Sequence, residues 1–230
     1  MTELTPSPER IYWGSAMGSL LHAVMAFRAQ HAGQPQEALV HYDAALTQLP
    51  NDLGLLRLRA RLALQQGDHK GAVAYLERAA ALAPADEKIA CELAQTLLAT
   101  GDFAAALRAA RHTVTLEPGW AQGHLTLALA LGASGNWCAA EQAALSALNL
   151  APDLDTALLC LAQTQREQHR LEDAQASLRR LLAAQPHHVQ ALNDLGWGLY
   201  RQGKLAEACM LMERAATSVD ADPQAASRAW

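Results

Sequence analysis

The sequence predicts an all-α protein built as a repeat array, and three observations predict it. Prolines at 50, 84, 118, 152 and 186 each stand 34 residues from the next, a fixed period that marks internal repetition. With each of these prolines at position 32 of a unit, a small residue recurs at position 8 (Ala26, Ala60, Ala94, Ala128, Ala162, Gly196) and at position 20 (Ala38, Ala72, Ala106, Ala140, Ala174, Ala208). Hydrophobic residues make up 51% of the chain but aromatic ones only 5%, so Ala and Leu carry the apolar fraction and favour helices over strands.

The period places six units at residues 19–52, 53–86, 87–120, 121–154, 155–188 and 189–222. Within a unit, the recurring small residues mark where two helices cross closely, because side chains at the contact set the spacing. Position 15 is Gly33, Gly67, Gly101, Gly135 and Gly203, with His169 as the one departure. Glycine just past a helix end takes a left-handed conformation without strain, so each unit reads as helix A, turn, helix B. Ser7-Pro8-Glu9 reads as an N-cap and first turn, which extends the first helix from about Pro8 to Ala32 and makes residues 1–18 an N-terminal extension of it. After the sixth unit proline arrives three residues late, at Pro223. Asp222-Pro223 then starts a short capping segment, 223–230, with Trp230 covering the last open face.

Glycine at position 15 and proline at position 32 on this period, with Gly196, Leu199 or Tyr200, Ala208, Met212 and Ala215 at the small, aliphatic or aromatic and alanine positions, resemble the tetratricopeptide repeat family. The resemblance covers about nine-tenths of the chain. It implies a right-handed superhelical solenoid of helix-turn-helix repeats. Two departures stand out. Units three and four carry Phe103 and Trp137 at position 17 and Ala110 and Ala144 at position 24, whereas the others carry Tyr42, Leu76, Leu178 and Met212 at position 24. Residues seven apart share a helical face, so the large side chain fills the same inter-helix space from one end or the other. Arg59 stands at position 7, where the family has Leu; its stem packs while its head reaches water or a carboxylate.

Composition bounds the function. A net charge of -5 without a basic run excludes a nucleic-acid backbone as the main partner. Cys91, Cys138, Cys160 and Cys209 lie far apart without zinc-site or disulfide spacing and read as packing residues of a reducing, cytoplasmic protein. Residues 11–27 hold no Asp, Glu, Lys or Arg, yet Gly14, Ser15, Gly18, Ser19 and His22 interrupt a run that is short for a membrane span, so it reads as a buried helix. There is no HExxH, GxSxG or phosphate-cradling glycine loop, so no enzyme, metal or cofactor is expected. His187-His188 reads as a solvated turn, and His22 and His124, both at position 4, as core histidines.

The remaining candidate is surface. Positions 4, 7, 8 and 11 of helix A form one stripe, and positions 2, 5, 9 and 12 another about 130° away. In the resembled family helices A line the concave side, and the second stripe with position 13 contacts an extended peptide or a partner's helix. Transferred to this sequence, that stripe carries Arg57, Arg61, Lys88, Gln95, Leu125, Leu129, Gln163, Arg166, Asn193, Trp197, Tyr200 and Arg201. Arg57 and Arg61, four apart, converge on a carboxylate together with Lys88, or are neutralised by Glu87 and Glu92. Asn193, Trp197 and Tyr200 make a second patch of residue types that dominate interfaces, with Trp197 serving either a ligand or the C-terminal cap. The resemblance therefore implies a non-enzymatic scaffold or adaptor for a protein or peptide with acidic and apolar residues. The alternatives are a substrate-presenting arm of a larger transferase or hydroxylase and a self-assembling scaffold, the last motivated by the uncharged first helix.

Overall fold

The computed structural model describes the backbone of residues 8–221 and the side chains of residues 18–218. These residues form twelve α-helices and no strand: α1 (Pro8–His31), α2 (Pro35–Gln48), α3 (Leu53–Gln65), α4 (His69–Leu82), α5 (Glu87–Thr100), α6 (Phe103–Leu116), α7 (Ala121–Ala133), α8 (Trp137–Leu150), α9 (Asp155–Glu167), α10 (Leu171–Ala184), α11 (Val189–Arg201) and α12 (Leu205–Ala221). Odd helices are the A helices of the 34-residue period and even ones the B helices. They group into two compact units, Met1–Leu116 and Glu117–Trp230. Inside each unit every helix packs on the next in the chain. The predicted cap at 223–230 lies outside the described residues.

The turns follow from backbone sterics. Gly33, Gly67, Gly101, Gly135 and Gly203 all have φ between 73° and 81°, and His169 adopts the same region at φ 61°. Directly after three of these glycines, Asp68, Asp102 and Asn136 cap the B helix, each accepting a hydrogen bond from the backbone N–H three residues on. Asp52 and Asp86 cap α3 and α5 in the same way. One side chain thus satisfies a donor that the first turn leaves open.

Packing explains the small-residue rows. Every alanine at position 20, and every alanine at position 8, is buried. A Cβ on Gly196 would meet Met212 Cγ at 3.2 Å and the Ala208 carbonyl at 3.5 Å, so in the sixth unit glycine at position 8 makes room for Met at position 24. Tyr42, Leu76 and Leu178 are buried at position 24 as the sequence predicts. Trp137 replaces them from position 17, its ring half-buried against Gly132. Phe103 does not: it stands at the first residue of α6 and stays exposed, a correction to the predicted exchange.

A second periodic device joins successive repeats. Position 26 of a B helix donates to the carbonyl of the preceding unit's proline: Arg78 to Pro50, His112 to Pro84 at 2.8 Å, Arg180 to Pro152 at 2.8 Å and Arg214 to Pro186 at 2.9 Å. In the fourth unit position 26 is Ser146, which bonds within its own helix to Gln142. His124 meets the Pro118 carbonyl there instead, at 2.8 Å.

The first helix has the predicted length but not the predicted burial. Its described part leaves Leu20, Leu21, Val24, Met25 and Phe27 exposed, while Ala26 and Ala29 face α2. Helix α1 covers the core on one side only. No helix among the described residues is long and apolar enough to cross a membrane.

Candidate functional site

In the first unit the A-helix stripe is held by hydrogen bonds. Tyr42 donates to Gln30 Oε1 at 3.1 Å, and Gln30 Nε2 donates to Gln65 Oε1 at 2.6 Å. Arg57 on α3 grips Glu92 on α5 with two parallel bonds, Nε to Oε2 at 2.9 Å and Nη2 to Oε1 at 2.6 Å. That hydrogen-bonded carboxylate raises the Arg57 pKa, and Arg61 Nη2 approaches the same carboxylate at 3.9 Å. Of the two arrangements open in the sequence, Glu92 therefore neutralises Arg57, and Arg61 and Lys88 are the cations left exposed. A cavity of about 320 Å³ opens between these residues, lined also by Leu64, Leu76, Gln95 and Thr96.

Arg59 finds its carboxylate on the preceding helix: Nε donates to Asp43 Oδ1 at 2.8 Å, and the guanidinium carbon lies 4.9 Å from the Tyr75 ring centroid. His22 pairs with His41 (Nδ1 to Nδ1, 3.1 Å) in a part-buried contact between α1 and α2. The histidine turn is partly structural, since His188 accepts from Ala191 N at the start of α11 and His187 Nδ1 lies 3.4 Å from Ser218 Oγ.

The second unit holds the larger cavity, about 410 Å³, between α9, α10 and α11. Its floor is apolar, with Cys160, Ala162, Leu171, Ala174 and Leu178; its walls carry Gln163, Arg166, Gln190 and Asp194. Leu129 and Leu159 extend the apolar surface. Burial raises the Asp194 pKa, opposed by the charge of Arg166, whose Nη1 stands 4.0 Å away, and by His188. Burial also pushes the Cys160 thiol up to about 11, so it stays protonated as part of the apolar floor. Gln175, buried at the cavity wall, accepts from Arg179 through Oε1 at 3.4 Å, but its Nε2 has no hydrogen-bond partner. An unpaired buried amide donor costs on the order of 1–3 kcal/mol.

One helical turn from the cavity, Trp197 and Tyr200 form an edge-to-face pair, ring centroids 5.7 Å apart, with 59% and 53% of their surface exposed. Arg201 is exposed beside them and Asn193 is half-buried. Position 9 is exposed in each unit, as Arg61 and Gln95 in the first and Leu129, Gln163 and Trp197 in the second, whereas at position 5 Cys91 and Leu125 are buried and Arg57, Leu159 and Asn193 half-buried. Leu125 is only 2% exposed and Cys91 3%, so Leu125 is corrected from ligand-facing residue to core. Sequence periodicity missed Gln175 and Asp194, which line the larger cavity from outside the predicted stripe. Among the described residues no group of three or more His, Cys, Asp or Glu side chains is placed to hold a metal ion.

Tetratricopeptide-repeat sequence models match residues 29–90, 63–129 and 159–226. The chain belongs to the tetratricopeptide repeat family. No curated protein sequence matches it. Among solved structures, a tetratricopeptide repeat protein from Parabacteroides merdae is similar at TM-score 0.77 and 16% identity, covering 88% of this chain and 80% of the other. MamA from Desulfovibrio magneticus RS-1 gives TM-score 0.68 at 19% identity, covering 74% and 96%. The thermophilic protein TTC0263 from Thermus thermophilus gives 0.64 at 21%, covering 79% and 99%. At these identities the likeness is one of fold. The family membership makes this all-α tetratricopeptide array a protein-interaction scaffold in general terms.

Proposed function

We propose that this tetratricopeptide protein is a non-enzymatic adaptor whose A-helix ridge binds an extended peptide or a helix of a partner protein, with the second unit's cavity as the anchoring site. The observation that carries this reading is the 410 Å³ cavity with an apolar floor and polar walls, flanked by the exposed Trp197–Tyr200 pair. An apolar peptide side chain fits such a floor, while Gln163, Gln190 and the unpaired amide of Gln175 supply the few placed polar groups that orient a ligand. Two exposed aromatics on a rigid helix add contact area at low entropic cost. In the first unit Arg61 and Lys88 favour an acidic residue of the same kind of ligand. The reading keeps the widely spaced thiols in a reducing, cytoplasmic setting.

Panning the purified chain against a displayed random-peptide library tests this. Enriched peptides are expected, and Trp197→Ala should weaken their binding by about thirtyfold, the loss of one interface hot spot of about 2 kcal/mol. The melting temperature should stay nearly unchanged, because the ring is mostly exposed. Failure to enrich any peptide, or peptides indifferent to Trp197→Ala and to Gln163→Ala alike, would overturn the assignment.

A further inference from the structure

The outward face of α1 repeats a position code that the rest of the chain uses internally. Positions 3 and 7 of an A helix pack on the preceding B helix: at position 3 Leu55, Ile89, Ala157 and Ala191 are all buried, and at position 7 Leu161 and Leu195 are buried and Arg59 and Leu93 half-buried. In α1 the same positions are Leu21 and Met25, exposed by 60% and 39%, with Val24 exposed between them at position 6. No charge interrupts this face until Arg28, at position 10. A solenoid end stays soluble and separate when its outer face is polar, and this one is apolar.

Helix α12 presents the complementary half. Positions 21 and 28 of a B helix meet the next A helix. Leu39, Val73, Glu141 and Gln175 at position 21, and Leu46, Ala80, Leu148 and Leu182 at position 28, are each buried or half-buried. Their counterparts in α12, Cys209 and Ala216, are exposed, and Met212 at position 24 is half-exposed where Tyr42, Leu76, Ala144 and Leu178 are buried. Among the described residues both surfaces thus have the residue types of an internal repeat interface and no helix that completes it.

We propose that a second copy of this chain completes it, α12 of one copy seated on α1 of the next, head to tail. The internal interfaces fix the register. Arg59 bonds Asp43, joining position 7 to position 25 of the preceding unit; a Cβ on Gly198 would stand 3.6 Å from Gln175 Nε2, joining 10 to 21; and Leu55 and Leu46 share one core cluster, bringing 3 to 28. The same antiparallel register sets Leu21 on Ala216, Met25 against Met212 with Glu213 beside it, and Arg28 over Cys209. The contact is heterologous, so copies add head to tail into an open chain or a closed ring, and mass rises with concentration. It uses neither the cavity nor the aromatic pair of the ligand site, and stands or falls independently of peptide binding.

Sedimentation and light scattering over a concentration series test the proposal on three forms of the full chain: wild type, Leu21→Glu/Met25→Glu and Cys209→Glu/Ala216→Glu. The substituted residues are on the surface, and unchanged far-ultraviolet circular dichroism and melting temperature establish that each variant folds. Wild type should grow in mass with concentration, and each variant alone should stay monomeric. An equimolar mixture of the two variants should give a species of twice the chain mass and nothing larger, because one intact α12 face meets one intact α1 face. A monomeric wild type at every concentration overturns the proposal. So does an α12 variant that still associates, which would mean α1 pairs with α1.

Discussion

His169 shows how far a single residue can carry the logic of the repeat. Five of the six turn positions are glycine because φ near 75° brings Cβ too close to the following carbonyl oxygen. His169 meets the same requirement at φ 61° with an imidazole on an exposed turn. Strain in that region costs a non-glycine residue on the order of 1 kcal/mol, so His169→Gly should raise unfolding stability by about that amount. Urea titration with an unchanged slope would register it; a loss of stability would mean that the imidazole makes a compensating contact. The backbone requirement here was legible in the sequence, because glycine spacing alone defines it. The partners of Arg59 were not, since Asp43 and Tyr75 lie on helices before and after it, and only the packed arrangement selects them from the neighbouring carboxylates and rings.

Elements in this array are joined by more than apolar packing. The position-26 donors hold a proline carbonyl 28 residues back, at the junction where one unit ends and the next begins. These carbonyls follow a helix end, and an arginine donor offers a charge-assisted bond at a partly solvated site. Arg180→Ala should therefore cost about 1 kcal/mol, the low end for a bond from a charged donor because water replaces part of it. Equilibrium denaturation would measure the loss, and Arg180→Lys should restore part of it, since the contact is a single bond from Nη2 to one carbonyl that an ammonium can also donate. The spacing was present in the sequence as Arg78, Arg180 and Arg214, but alternation with His112 and Ser146 hid it from a reading of residue type alone. Helical periodicity served the binding ridge unevenly for a related reason. It placed position 9 outward correctly, but position 5 turns toward a neighbouring helix in some repeats and not others, as buried Leu125 against half-buried Asn193 shows. A single helix wheel carries no information about the helix beside it.

At the scale of the whole molecule, the two compact units and the chain of neighbour-to-neighbour contacts imply that damage stays local. Each repeat buries its apolar face only against adjacent helices, so stability is a sum of repeat and interface contributions and not of one shared core. Leu181 is fully buried in α10, and Leu181→Ala removes a branched side chain with no space to collapse, a loss on the order of 2–5 kcal/mol. In a globular domain with one cooperative transition, that loss would speed hydrogen exchange at every core amide alike. Here the faster exchange should concentrate in α9 to α12, while α1 to α4 keep their protection, because α10, which carries Leu181, packs chiefly on its neighbours α9 and α11. Mass spectrometry of deuterium uptake, peptide by peptide, separates the two outcomes. Equal acceleration across both units would show that the array unfolds as a single cooperative body despite its one-dimensional contacts, and local acceleration would show that the repeats around Leu181 open without the rest.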